Sequence, residues 1–191
     1  MSPGMADVVG VVGSGRRPSN SARLLEEALA GARQAGARTV GTFNLASLDF
    51  KGCVGCGTCR REAEACVLED ELAPVLQATA NAQALVLATP IYYGYTTGLF
   101  KSYLDRWYAF RDAGRRLRMP GGRPALLIVT QGNPDPDAYA WAVGSLEKVI
   151  AAYGFRPRVL VAPGLEDAEA AGRSPALLAR ARDLGAQLAG R

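Results

Sequence analysis

The sequence contains no histidine. That absence excludes Ser-His-Asp and Cys-His catalysis, metal sites with histidine ligands and a histidine general base. Long hydrophobic runs are also missing, since no stretch approaches the ~18 apolar residues that a membrane-spanning helix needs. The first residues lack the basic segment of a secretion signal. We therefore expect a cytoplasmic protein without membrane contact, whose chemistry comes from a cofactor, cysteine, carboxylates or tyrosine.

A concentrated positive charge is lacking too. The chain has 22 basic and 18 acidic residues, and the excess of arginine is scattered among the acids. Nucleic-acid binding proteins gather their basic residues into a patch, so no nucleic-acid partner is expected. With 191 residues, of which 49% are hydrophobic, the composition predicts one globular domain spanning residues 1–191.

Short apolar runs alternate with amphipathic helical patterns along the whole chain. The alternation predicts five strands, at Val8–Val12, Thr39–Phe43, Ala84–Thr89, Ala125–Thr130 and Arg158–Ala162. Pro90 is expected to end the third strand. Strands that alternate with helices predict an α/β fold with a doubly wound parallel sheet.

The loop after the first strand is rich in hydroxyl and amide side chains. It lacks the Gly-Lys-Ser/Thr of a Walker A loop, and Pro18 stands where the dinucleotide fingerprint needs its third glycine. Donors before a helix N-terminus suit a terminal phosphate, and the alternative is an ordinary strand–helix turn with a Ser/Asn cap. The candidate phosphate residues are Ser14, Arg16, Ser19, Asn20 and Ser21.

The loops after the third and fourth strands should meet the first loop at the carboxyl edge of the sheet. The loop that starts at Pro90 carries Tyr92, Tyr93 and Tyr95, whose rings suit contact with a planar ligand. The turn that begins at Gln131 supplies the third side. The three loops together predict a site for a phosphate joined to a ring.

These motifs resemble the NADPH-dependent FMN reductase family of flavodoxin-like proteins. The resemblance rests on Ser14-x-Arg16-x-x-Ser19-Asn20-Ser21, on Thr89-Pro90-Ile91-Tyr92-Tyr93-Gly94, and on Lys101 with Asp105-Arg106. It implies a three-layer sandwich with a five-stranded parallel sheet of order 2-1-3-4-5, non-covalent FMN, NAD(P)H as electron donor, and a homodimer or homotetramer. It places the FMN phosphate on the five candidate residues of the first loop. It places the ribityl chain and ring against Pro90, Ile91, Tyr92, Tyr93, Gly94 and Tyr95, with Thr130, Gln131 and Gly132 approaching the ring.

All four cysteines lie in a predicted loop at about residues 49–69. Their pattern, Cys53-x2-Cys56-x2-Cys59-x6-Cys66, resembles the iron–sulfur flavoprotein branch of the family. A [4Fe–4S] cluster with these four ligands is one interpretation, since three cysteines at spacing three can wrap a cluster. Redox-active thiols or a disulfide between neighbours, and a structural zinc ion, are the alternatives.

The resemblance predicts an FMN-dependent oxidoreductase. It would take a hydride from NAD(P)H and pass electrons to a small-molecule or protein acceptor such as a quinone, another flavin or a redox partner. The alternatives are a flavodoxin-like electron carrier and a cysteine-based redox sensor, neither with turnover of its own.

A basic loop precedes the fourth strand. It either holds the extra phosphate of NADPH or is a solvated loop. Its arginines are Arg111, Arg115, Arg116 and Arg118.

Overall fold

The computed structural model describes residues 8–38 and 40–189. Six strands and six α-helices lie within these residues, joined in places by short 3-10 turns. The strands are β1 Val8–Val12, β2 Val40–Asn44, β3 Ala84–Tyr92, β4 Tyr95–Thr96, β5 Arg123–Thr130 and β6 Phe155–Ala162. The helices are α1 Asn20–Gln34, α2 Thr58–Arg61, α3 Ala73–Asn81, α4 Gly98–Arg106, α5 Ala140–Ala152 and α6 Pro175–Ala189.

The main sheet is parallel and has the order β2-β1-β3-β5-β6. Because β4 is only an addition to β3, this is the predicted order 2-1-3-4-5, and the flavodoxin-like fold is confirmed. All five residues of β1 are buried, as expected of a central strand covered on both faces.

The third strand is longer than predicted. Pro90 does not end it, since β3 continues to Tyr92 and pairs there with β4 in an antiparallel hairpin. The pairing of β1 with β3 stops at Ala88, so the missing N–H of Pro90 falls where one neighbouring strand has already ended.

Three other strand boundaries differ from the sequence prediction. The second strand ends at Asn44 instead of Phe43, and β5 begins at Arg123 instead of Ala125. The last strand begins at Phe155, ahead of Arg158, because it pairs with β5 along its full length. The predicted start of the second strand, Thr39, lies outside the described residues.

The sheet separates two hydrophobic cores. In β1, Val9 and Val11 pack on the side of α3, α4 and α5, whereas Val8 and Val12 pack on the side of α1 and α6. This alternation is the two-residue period of a strand. No helix in the described part of the chain is both long and apolar enough to cross a membrane.

Helices α1 and α6 touch through glycine. A Cβ atom on Gly31 would lie 1.9 Å from the Arg182 carbonyl oxygen, and one on Gly185 would lie 1.8 Å from that of Ala28. Next to this crossing, the buried carboxylate of Glu27 pairs with Arg182 of α6, through Nε at 3.0 Å. The first helix is therefore held in place by the last.

Candidate functional site

The first loop leaves the sheet at Gly13, which is fixed on three sides. Its N–H donates to the Ala88 carbonyl at 2.9 Å, and its own carbonyl accepts from the Thr97 hydroxyl at 2.6 Å. A Cβ atom here would lie 2.6 Å from Cβ of Phe100. Glycine is required by this close approach, and the loop starts from a defined point.

The loop ends at the N-terminus of α1. Ser19 is the N-cap, and its hydroxyl accepts from the Ala22 N–H at 3.3 Å. The N–H groups of the first turn have no partner within the helix, and the helix dipole makes this end attractive to anions. Ser14 is buried beside it, and its Oγ accepts from the Arg16 N–H at 3.3 Å.

A cavity of about 150 Å³ lies in front of this helix end, at the carboxyl edge of the sheet. All five predicted residues of the first loop line it. The structure also brings to its wall the predicted residues Pro90, Ile91, Tyr92, Thr130, Gln131 and Gly132. Three residues that the sequence did not indicate complete the wall, namely Leu165, Glu166 and Ala168.

Buried polar groups on the cavity wall are mostly paired with one another. The hydroxyl oxygens of Ser21 and Thr130 lie 2.7 Å apart. The Gln131 amide nitrogen donates to the carbonyls of Asn133 and Asp135, at 3.2 and 2.7 Å, which fixes the orientation of the amide. Its Oε1 atom is buried and has no hydrogen-bond partner among the described residues. A buried acceptor without a donor is costly, so the Oε1 atom of Gln131 is available to accept a hydrogen bond from an N–H or O–H group of a ligand.

Asn20 lines the cavity, and its side chain also joins two segments that are distant in the chain. Its Nδ2 donates to the Asp167 carbonyl at 2.6 Å, and its Oδ1 accepts from the Ala171 N–H at 2.9 Å. The side chain therefore ties the loop after β6 to α1 and helps to hold Leu165 and Glu166 at the cavity. No local sequence signal announces a bond between residues this far apart in the chain.

The tyrosine loop forms a β-hairpin beside the cavity. Its two turn residues, Tyr93 and Gly94, have φ values of 49° and 84°, as a type I′ turn requires. Tyr93 is fully exposed at the tip. Tyr95 stacks on Trp141, with ring centroids 5.5 Å apart. Tyr93, Gly94 and Tyr95 therefore lie outside the cavity wall, and only Tyr92 faces it, with the Arg16 guanidinium 5.8 Å from its ring centroid.

The four cysteines lie in a loop that packs on α4, away from the cavity. Cys53 and Cys56 are exposed, Cys59 is buried, Cys66 is partly buried, and none forms a disulfide. The loop turns at Gly55 and Gly57, whose φ values are 70° and 74°. Among residues 8–38 and 40–189, no three cysteine, aspartate or glutamate side chains lie close enough to hold one metal ion.

The pKa values of two of the four thiols are shifted in opposite directions by their surroundings. Burial raises the pKa of the Cys59 thiol, and the charges of Cys66, Cys56 and Cys53 add to the rise. In contrast, hydrogen bonds from the N–H and hydroxyl of Thr58 lower the pKa of Cys56. The surroundings therefore make Cys59 harder to ionise than an ordinary thiol and make Cys56 easier to ionise.

The arginine loop after α4 is placed to support the cysteine loop. Arg118 donates to the carbonyls of Cys59 and Ala109, at 2.7 and 3.0 Å, and Arg111 lies 5.0 Å from the ring centroid of Tyr153. The arginine loop leads into the start of β5 at Arg123, whereas the cavity lies at the other end of this strand, at Thr130. The placement of Arg111 and Arg118 favours a structural role over a site for NADPH.

A larger cavity, of about 640 Å³, lies under the cysteine loop. Its wall is mainly apolar and includes Leu76, Phe110 and Met119, with Cys66 beside them. The first turn of α3 lies on its wall at Ala73 and Pro74, but the proline has no N–H to donate and no hydroxyl side chain among the described residues lines the cavity. The site suited to a phosphate is therefore the smaller cavity.

Comparison with known proteins agrees with this division into a phosphate cavity and a cysteine loop. The sequence profile of the NADPH-dependent FMN reductases matches residues 6–158. The chain belongs to the NADPH-dependent FMN reductase family. An iron–sulfur flavoprotein of Archaeoglobus fulgidus is 30% identical over 149 residues, which are 78% of this chain and 64% of that protein. An iron–sulfur flavoprotein of Methanocaldococcus jannaschii is 29% identical over 128 residues, 67% of this chain and 65% of that protein.

This member of the FMN reductase family spans just under two thirds of the length of these curated relatives. Among solved structures it is similar to an NAD(P)H:quinone oxidoreductase from Methanothermobacter marburgensis, with a TM-score of 0.72 and 19% identity over 96% of each chain. That likeness supports the fold. The predicted family and its iron–sulfur flavoprotein branch are both confirmed.

Proposed function

We propose that the protein is an FMN-dependent oxidoreductase that takes a hydride from NAD(P)H. The observation that carries the proposal is the cavity at the N-terminus of α1, whose wall combines the first loop, β3 and the Gln131 turn. Membership of the FMN reductase family supports FMN as the ligand. A cytoplasmic location and a homodimer or homotetramer stay predictions of the sequence.

The size of the cavity indicates which part of FMN it would hold. Pockets that enclose a whole ligand usually measure ~300–1,000 Å³, and this one is about 150 Å³. We therefore assign it the phosphate and the adjoining ribityl chain. Arg16 and the first turn of α1 supply the positive potential, and the hydroxyls of Ser14, Ser19 and Ser21 supply hydrogen bonds.

The ring would lie against the open surface beside the cavity. Tyr92 is partly exposed there, and Tyr93 projects beyond it. The unpartnered Oε1 of Gln131 is an acceptor for an N–H or O–H of the cofactor. When bound, FMN supplies the hydride-accepting chemistry, whereas the protein binds it, orients it and limits its contact with water.

The electron acceptor is proposed by class only. A quinone, another flavin or a redox protein each suit a reduced flavin, and similarity to a quinone oxidoreductase agrees with the first. The absence of histidine means that no histidine assists proton transfer at the acceptor. Tyr92 is the ionisable side chain of the hairpin that faces the cavity.

We further propose that the cysteine loop binds a [4Fe–4S] cluster through Cys53, Cys56, Cys59 and Cys66. The support consists of their spacing in one loop and the names of the curated relatives. Four thiols are the donor set that such a cluster takes. A cluster, when bound, would exchange single electrons.

One experiment tests the flavin proposal directly. Anaerobically purified protein is loaded with FMN, and the flavin absorbance is followed after NADH or NADPH is added. We expect bleaching within seconds and steady consumption of NAD(P)H when menadione or free FMN is supplied. Bound flavin that stays oxidised for minutes with both nucleotides would refute the reductase activity and favour an electron carrier.

The cluster is tested on the same preparation. A broad absorption near ~400 nm beyond the flavin bands and about four irons per chain are expected. Zinc in place of iron, or thiols that all react with iodoacetamide in metal-free protein as purified, would refute the cluster and favour a zinc site or a thiol-based sensor.

A further inference from the structure

Arg106, at the end of α4, is a charged side chain inside the protein. Its side chain is 0% exposed, and it is among the largest fully buried residues. Burying a guanidinium is costly unless it is paired and hydrogen-bonded. The groups that offset the cost of burying this charge therefore indicate which part of the structure Arg106 stabilises.

Those groups belong to both ends of the cysteine loop. Nη1 donates to the Lys51 carbonyl at 2.9 Å, and Nη2 donates to the Leu68 carbonyl at 3.1 Å. Lys51 comes two residues before Cys53, and Leu68 comes two residues after Cys66. One planar side chain thus joins the residues that enter and leave the loop.

A carboxylate completes the contact. Asp70 accepts from Nη1 at 2.9 Å and from Nη2 at 3.3 Å, which is the two-point pairing that guanidinium and carboxylate favour. The same carboxylate accepts from the Lys51 N–H at 3.1 Å. Asp70 also accepts from the Leu72 N–H at 3.2 Å, just before α3 begins, but its main partner is Arg106.

The guanidinium also reaches one of the cysteines. The side chain of Cys66 is near enough to interact with it electrostatically. The Nε atom of Arg106 is buried and has no hydrogen-bond partner in the part of the chain that the structure describes. Arg106 therefore carries a donor beyond those that bind the two loop ends and Asp70.

We propose that Arg106 is the positioning residue of the four-cysteine site. It closes the base of the loop and sets the place of Cys66 relative to the other three thiols. The proposal builds on the proposed cysteine site, but the closure of the loop is independent of any metal. Lysine could not make the contacts of Arg106. The three N–H donors of its ammonium group share one nitrogen, so they cannot bond to two separated carbonyls and a carboxylate in one plane.

The test compares Arg106→Lys with Arg123→Lys in the full chain. Arg123 is a matched control, since it is also partly buried and donates to the backbone carbonyls of Ala80 and Ala82, which lie outside the cysteine loop. Iodoacetamide alkylation is followed residue by residue by mass spectrometry on protein treated with a chelator. Hydrogen exchange of residues 49–71 is measured on the same samples.

We expect Arg106→Lys to speed the alkylation of Cys66 and Cys59 and the exchange of the loop base by about tenfold or more. Cys53 and Cys56 are already exposed and should change little. Arg123→Lys should leave all four thiols as in the wild type, even where it lowers the melting temperature equally. Asp70→Asn, which keeps the shape of the side chain, should give a smaller change in the same direction and serves if Arg106→Lys does not fold.

The proposal is overturned if Arg106→Lys and Asp70→Asn leave Cys66 and loop exchange unchanged, or if Arg123→Lys alters them equally. Measuring the iron content of the wild type distinguishes a failure of this proposal from a failure of the proposed cluster. Wild-type protein without iron refutes the cluster, while the alkylation result still decides the role of Arg106. If the wild type holds iron, Arg106→Lys should lose it several-fold faster on exposure to air, and equal loss counts against the proposal.

Discussion

Arg16→Ala offers the sharpest test of the phosphate cavity, because the neighbouring Arg17 provides a matched control. Both arginines are exposed, and both belong to the first loop. Only Arg16 lines the cavity. Removing either one changes the net charge equally, so a difference between the two variants reports the position of the side chain.

The expected loss follows from the place of the guanidinium. An ion pair at about 4 Å near the surface of a protein is worth ~1–4 kcal/mol, and exposure of Arg16 keeps it in the lower part of that range. We therefore expect FMN to bind ~1–3 kcal/mol more weakly to Arg16→Ala, which is about a 5- to 150-fold rise in Kd. Arg17→Ala should change Kd by less than about twofold at ~0.15 M salt, since exposed charges beyond the Debye length of ~8 Å are screened.

The assay is titration of flavin fluorescence on the flavin-free protein, with FMN and with riboflavin. Riboflavin lacks the phosphate, so Arg16→Ala should leave its affinity nearly unchanged, and the preference of the wild type for FMN should shrink. The reasoning is refuted if Arg16→Ala weakens FMN and riboflavin equally, or if Arg17→Ala has an effect of the same size. Either outcome would move the phosphate away from this cavity.

Three further predictions concern the scaffold. Gly185→Ala should lower the free energy of unfolding in urea by ~1–3 kcal/mol or more through overpacking, because its Cβ would meet a backbone oxygen of α1 at 1.8 Å. Gly144→Ala, in open space on α5, should be neutral or stabilising. Burial raises the pKa of Asp70, but the hydrogen bonds from Arg106, Lys51 and Leu72 and the charge of Arg106 together bring it below its ordinary value. Its stabilisation is complete above the unfolded pKa of ~4 and is lost as pH falls, so Asp70→Asn should flatten the decline of the urea midpoint from pH 7 to 3. Tyr93→Asn should raise stability by ~0.5–1 kcal/mol, since Asn-Gly suits a type I′ turn better, and a lower melting temperature would contradict this.

The parts of the site that follow directly from strand ends could be predicted from the sequence. Ser14 and Gln131 come after two apolar runs, and parallel strands place their following loops at one edge. The structure brings both to one cavity. The same reasoning could not find Leu165 or Glu166, because the loop after β6 is held at the cavity by long-range bonds, from the side chain of Asn20 and to the backbone of the Gln131 turn.

The features that the sequence analysis missed or placed wrongly can each be explained by their local surroundings. Pro90 was expected to end a strand, but the neighbouring strand stops first, so its missing N–H has little consequence. The hairpin at Tyr93 lacks the Asn-Gly pair that would announce it. Arg106 had one usable signal, since it stands three residues after Tyr103 on the buried face of α4. A charge at such a position indicates a buried partner, although the sequence does not reveal that the partner is the cysteine loop.

The contact of α1 with α6 restricts which amino-acid substitutions this protein can tolerate. Where two helices meet backbone to backbone, a change at the crossing cannot be absorbed by a different rotamer. It must shift the whole of α1, and with it the N–H groups that begin the helix at the cavity. The match to the FMN reductase family ends at residue 158, but the helix that follows sets the distance between the phosphate loop and the sheet. A chain cut after Ala162 would keep every residue of the matched region and lose the surface that holds its first helix in register.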